Sequence, residues 1–340
     1  MTETVWRRID HPSAWTSAAI GGKEGLMHRL GAPHLDAIDE LLAATRPLAP
    51  TAVTRRDWDH PAINALMTAV RYEIMNGRGA VILSGFDLRR ISAEDFERIY
   101  WGLGTHLGQG AIQSAKQDRI GYVRKEEDNP ARRGYMLDIE LKSHTDFHEL
   151  LGLACVSKAE TGGESGLASS LAVHNLMLET RPDLLAPLYQ GFYHQFGGDQ
   201  PVSERKVPVF CEVDGKVSCY YHPMFLANAA RRQGVALPDR LVEALKVFDG
   251  LAARPDVRAQ FMLEPGEMMF WHNFVNLHSR AAFTDSSAHR RLLLRLWLNV
   301  AAGRPMDPDY NGRGALMDRE HAAGRPALHY GAALENARPV

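Results

Sequence analysis

Residues 290–298 read Arg-Arg-Leu-Leu-Leu-Arg-Leu-Trp-Leu. Side chains alternate across a strand, so Arg291, Leu293, Arg295 and Trp297 share one face. Leu292, Leu294, Leu296 and Leu298 take the other, which reads as fully buried. At about 3.3 Å per residue the two arginines of the first face sit roughly 13 Å apart. Two readings of that face stand side by side. It meets solvent or protein carboxylates, or it lines a barrel interior in which planar guanidinium forks grip small-molecule carboxylates.

A second stretch supplies chemistry. His144-Thr145-Asp146 puts an imidazole and a carboxylate two residues apart, on one side of an extended strand. One more imidazole completes a 2-His-1-carboxylate facial triad, which holds Fe(II) by one face and leaves the other open. His272 and His278 compete for that place. His278 is preferred because the arginine-bearing stretch 290–298 comes soon after it, and it is expected just beyond a strand end, before the loop 284–288.

Outward from these stretches, apolar spacing predicts a helix within 26–42 and another over 61–76, with Gly77 as its stop. Gly79–Gly85 (GAVILSG) reads as a buried strand, and Ser92 with Asp95 as a helix start. Residues 110–140 are polar and turn-rich and read as a flexible loop near the site mouth. Its Gln113 and Ser114 are candidates to face substrate, with ordinary loop polarity the preferred reading. From Ser143 the pattern becomes mostly β, with a strand over 150–156 and a tight turn at Thr161-Gly162-Gly163-Glu164-Ser165. Helices are expected over 169–179, 182–189 and 237–251, and a hairpin turns at Asp214-Gly215. Residues 266–300 hold two strands with an irregular connection.

Composition narrows the function classes. A formal net charge of −2 gives no reason to expect nucleic acid or an anionic membrane as partner. No apolar run is long enough to span a bilayer, and the N-terminus lacks a secretory pattern. Cys155, Cys211 and Cys219 are odd in number and form no C-x-x-C pair, so they read as free thiols in a reducing cytoplasm.

Taken together, His144-x-Asp146, a hydroxyl after a Gly-Gly turn (Ser165), His278, and Arg291 after twelve intervening residues resemble the Fe(II)/2-oxoglutarate-dependent dioxygenases. The resemblance is to their TauD/TfdA branch, which includes clavaminate synthase-like enzymes, and it runs from GAVILSG to Leu298. It implies a mainly β fold with flanking helices around a double-stranded β-helix, or jelly roll. One domain is expected over 1–340: a helical and strand support to about 105, the jelly roll over about 106–302, and an irregular tail over 303–340. The resemblance places iron on His144, Asp146 and His278, and the distal carboxylate of 2-oxoglutarate on Arg291 and Ser165. Arg295 matches a position that in some members binds an anionic group of the prime substrate. Ser165 stands where Thr is usual and close after Asp146, which leaves Thr161, Ser169 and Ser170 as stand-ins. The implied reaction uses Fe(II), 2-oxoglutarate and O2 to hydroxylate a C–H bond of a small polar or anionic molecule, such as an amino acid or other carboxylate. Succinate and CO2 are released. Related halogenases carry a small residue at the carboxylate position, so Asp146 argues for hydroxylation, desaturation or ring closure instead. A cupin-like metal-binding protein or isomerase is the alternative, and a homodimer is the base-rate expectation.

Overall fold

The computed structural model of the protein describes residues 6–113, 118–126, 134–196 and 201–310. Two sheets face each other, the larger mixed and the smaller antiparallel. The larger follows the order Met27–Arg29, Ala80–Ser84, Met268–His272, Leu150–Ser157, Leu292–Asn299, Gln109–Gly110, with Gly121–Val123 also pairing Leu292–Asn299. Its one parallel pair joins Met27–Arg29 to Ala80–Ser84. The smaller follows Arg258–Phe261, Ser165–Ser169, Asn276–Arg280, Leu141–His144. This is the jelly roll expected from the resemblance.

Alternation along each strand builds the layers. Ala80, Ile82, Leu151, Met269, Trp271, Leu293 and Trp297 point inward from the larger sheet and meet Leu167, Ala259 and Phe261 of the smaller. Val81, Leu83, Met268, Phe270, Leu294, Leu296 and Leu298 point outward, into the helices Ala32–Thr45, Pro61–Asn76 and Ala93–Gly104. Behind the smaller sheet, Val275 and Leu277 pack on Ser170–Thr180 and Asp239–Ala252. With both faces covered, strands such as Leu150–Ser157 lose the simple apolar–polar rhythm.

Several local expectations are met. The helix over Pro61–Asn76 ends at Gly77, and Ser92 caps Ala93–Gly104 by accepting the Asp95 N–H. Asp214 (φ 50°) and Gly215 (φ 73°) make the two-residue hairpin between Phe210–Val213 and Lys216–Cys219. Other expectations are corrected. The span 26–42 is not one helix: Met27–Arg29 pairs as an edge strand, and the helix starts at Ala32, with a proline in its first turn. Residues 110–140 are not all loop, because Gly121–Val123 adds to the strand carrying Arg295. Ser114, 127–133 and 311–340 lie outside the described residues. Pro223–Gln233, a helix with a proline at its first position, was not anticipated. Three main strands, not two, occupy 266–300, and His278 sits inside Asn276–Arg280 rather than beyond a strand end. Its inward side chains are polar, so the segment has no apolar stripe to reveal it.

The Gly-Gly turn is sterically required. Gly162 has φ 72°, and a Cβ there would stand 2.2 Å from the Ala282 carbonyl oxygen. Gly162→Ala is therefore expected to lower stability by on the order of 1–3 kcal/mol, read as a shift in the urea unfolding midpoint. An unshifted midpoint would contradict the turn as described.

Candidate metal centre

Register brings the two imidazoles together. His278 lies directly opposite His144 in the antiparallel pair of Asn276–Arg280 with Leu141–His144. Directly opposed residues put their side chains on the same face. The rings stand 4.2 Å apart, centroid to centroid.

Asp146 comes just after the end of that strand, and its neighbours hold it. The Asp146 N–H donates to Asn273 Oδ1 at 3.0 Å, and Asn273 Nδ2 donates back to the Asp146 carbonyl at 3.0 Å and to His148 at 2.9 Å. Thr145 is tied to Tyr221 by its N–H at 2.8 Å and by its hydroxyl, which accepts from the Tyr221 N–H at 2.9 Å. As a result His144 Nε2 lies 3.8 Å from Asp146 Oδ1, and His278 Nε2 lies 3.9 Å from Asp146 Oδ2. One donor atom from each residue falls within 4.8 Å of the others, a spacing that suits one metal ion.

The donors are in ligating form. His144 Nδ1 faces the Lys142 carbonyl at 2.8 Å, an acceptor only, so Nδ1 carries the proton and Nε2 presents its lone pair. Burial, helped by the Arg295 guanidinium, pushes His278 down to about 3, so it is a neutral imidazole. Burial works against ionising Asp146. The Arg295 guanidinium and the Trp297 N–H are among the groups that outweigh it and hold the carboxyl well below the usual range. Two imidazoles and one carboxylate match the donor set of a non-heme ferrous site.

His272 is not part of this centre. In Met268–His272 the inward positions are Met269 and Trp271, so His272 faces the other way. Its Nε2 meets Glu149 at 3.1 Å and its Nδ1 accepts from the Phe274 N–H.

Both arginines of the strand Leu292–Asn299 region point to the interior. Arg291 is 4% exposed, its Cζ is 5.2 Å from the Phe283 ring centre, and its Nη1 is buried without a hydrogen-bond partner among the described residues. Burial pushes its guanidinium down to about 10. Ser165 and Gly163 line a cavity with it. Of the stand-ins, Ser169 is spent on the Ser13 carbonyl and on capping the following helix, and Thr161 is exposed on the edge pair with Thr284. Ser170 opens that helix.

Arg295 is held between two rings, its Cζ 4.2 Å from Trp297 and 4.5 Å from Tyr135, while its Nε donates to Gln113 Oε1 at 2.9 Å. Gln113 is thus a buried partner of Arg295 rather than loop polarity. Arg280, two residues past His278, was also missed. Its Nη2 donates to the carbonyls of Leu137 at 2.6 Å and Ile139 at 2.7 Å, which anchors the segment carrying Tyr135. The His278-x-Arg280 alternation was the available signal. His222 adjoins the triad, its ring centre 5.3 Å from that of His144, and stacks on Phe225.

Residues 44–297 match the family described as taurine catabolism dioxygenase TauD, TfdA family. FR-33289 synthase from Streptomyces rubellomurinus is 27% identical over 320 residues, covering 88% of this chain and 90% of that protein. Uridine-5′-phosphate dioxygenase from Streptomyces sp is 30% identical over 161 residues, covering 45% and 57%. Among solved structures, asparagine oxygenase with Fe(II), 2S,3S-3-hydroxyasparagine and succinate superposes with a TM-score of 0.64 at 15% identity, over 81% of this chain and 93% of that one. The non-heme iron oxygenase OrfP with Fe and alpha-ketoglutaric acid gives 0.59 at 13%, over 80% and 94%.

Asn273→Ala strips the Asp146 N–H and two carbonyls of their partners. Each group left bare costs about 1–3 kcal/mol, so a clear drop in the metal-free unfolding midpoint is expected. Wild-type stability would mean that Asn273 does not hold the Asp146 turn.

Proposed function

This chain belongs to the TauD/TfdA dioxygenase family, and from that premise we propose that His144, Asp146 and His278 are its iron ligands. The protein is an Fe(II)- and 2-oxoglutarate-dependent oxygenase. The observation that carries the ligand assignment is the meeting of these three donors within 4.8 Å, in an interior that Arg291 and Arg295 also face. Bound there, Fe(II) supplies the chemistry by which O2 and 2-oxoglutarate oxidise a C–H bond, with release of succinate and CO2.

The protein's own groups do the rest. Arg291 grips the distal carboxylate of 2-oxoglutarate, and Ser165 hydrogen-bonds it. A buried guanidinium is costly without a counter-charge, and this pairing supplies one. Arg295, kept flat by Trp297 and Tyr135 and aimed by Gln113, takes an anionic group of the prime substrate. Phe147, Phe225 and Trp297 wall the centre with rings and limit water. Asp146 fills the carboxylate position, which favours hydroxylation.

The substrate class that fits is a small polar or anionic molecule, an amino acid or other carboxylate. Support comes from Arg295 and from the asparagine oxygenase and OrfP folds, the latter solved with L-Arg. The catalytic unit is read as one domain, with Met27–Arg29 and Ala80–Ser84 joining the strands after 106 in the larger sheet rather than forming a separate support. The three buried free cysteines favour a reducing, cytoplasmic setting. Among the described residues no helix is long and apolar enough to cross a membrane. The cupin-like alternative has no use for Arg291 inside the barrel, and family membership removes it.

His144→Ala, Asp146→Ala and His278→Ala are each expected to abolish 2-oxoglutarate-dependent succinate formation; normal turnover in any one removes that residue from the ligand set. Arg291→Ala leaves a carboxylate unpaired in a buried site, a loss on the order of 2–5 kcal/mol. That corresponds to at least about a thirtyfold rise in KM for 2-oxoglutarate, and an unchanged KM rules the role out.

A further inference from the structure

Carboxylates bind metals through one oxygen or two, and which they use decides how many positions remain for other ligands. Asp146 has one oxygen already claimed. The Trp297 indole Nε1–H donates to Oδ2 at 2.9 Å. Asn273 meanwhile fixes the Asp146 main chain on both its N–H and its carbonyl. With the backbone pinned, the carboxylate plane is the freedom left, and the indole takes it away.

The indole is itself immobile. Trp297 is 1% exposed and lies in Leu292–Asn299, paired in register with Leu151. His148 stacks 5.2 Å from it at 19°, Phe147 meets it edge-on at 5.7 Å, and Arg295 covers it at 4.2 Å. Buried indoles ordinarily find a convenient acceptor, and Trp15 and Trp101 donate to the carbonyls of Arg78 and Val53. Trp297 instead spends its N–H on a side-chain carboxylate of the centre.

We propose that Trp297 is a positioning residue that holds Asp146 to one-oxygen metal ligation, by occupying Oδ2 and leaving Oδ1 to the ion. This rests on the reading of His144, Asp146 and His278 as the ligands. Its consequence is an open coordination face: a second oxygen from Asp146 would compete with 2-oxoglutarate and O2 for the same ion. The Arg295 stack on the same indole gives this residue contact with both the metal carboxylate and the substrate-anion position.

Anaerobic Co(II) titration of the full chain tests it, read by binding affinity and by the visible ligand-field absorption of bound Co(II). Two variants remove the N–H: Trp297→Phe, and Trp297→β-(3-benzothienyl)alanine, which preserves the ring shape and decides the matter should the phenylalanine variant not fold. Loss of an outer hydrogen bond to a metal ligand typically weakens metal affinity about 10–100-fold. Both variants are expected to fall in that range with an altered Co(II) spectrum. Wild-type affinity and spectrum in the benzothienylalanine variant overturn the proposal, because any loss in Trp297→Phe is then ring packing. His278→Ala is run alongside: Co(II) binding as in wild type there would sink the ligand assignment itself rather than the part given to Trp297.

Discussion

The structure depends on the cross-strand pairing of His144 with His278. Side chains alternate with a period of two, so a slip of one residue would turn His278 and Arg280 out of the barrel and Leu277 into it. Apolar packing outside the barrel prevents that slip. Leu277 is locked among the helices behind the smaller sheet, and Leu294, Leu296 and Leu298 lock the opposite strand against the other helical layer. The outward leucines therefore keep the inward histidines and arginines in place, and the site inherits its geometry from the core.

Charge inside the barrel is the second constraint. Arg291, Arg295 and Arg280 are all nearly inaccessible, and burying guanidinium groups is tolerated only with partners. The fold answers with aromatic faces for Arg295 and Arg291 and main-chain carbonyls for Arg280. The anionic cosubstrate proposed at Arg291 would complete the compensation. Arg295 and the Trp297 N–H help hold the Asp146 carboxyl well below the usual range despite its depth.

Much of this was legible from residue spacing. The alternation over 291–298 separates the leucine face from the arginine face, and the Gly-Gly turn and the His144-x-Asp146 pair are local signals. What was not legible has physical reasons. Asn276–Arg280 hides its strand character because its inward positions carry chemistry instead of apolar side chains. Gly121–Val123 is too short to show a period, and nothing in the polar sequence around Gln113 marks it as a partner of Arg295. Asn273 and Trp297 act on Asp146 from more than a hundred residues away, through contacts that no local pattern encodes. Choosing His278 over His272 rested on the arginine-bearing stretch that follows it; the strand's inward positions, Met269 and Trp271, show why His272 faces away.

The most direct measurement is iron-edge anomalous diffraction from crystals grown without O2 in the presence of Fe(II) and 2-oxoglutarate. One strong peak is expected between His144, Asp146 and His278, with the distal carboxylate of 2-oxoglutarate against Arg291. A peak elsewhere, or a cosubstrate whose far end turns away from Arg291, would contradict the account.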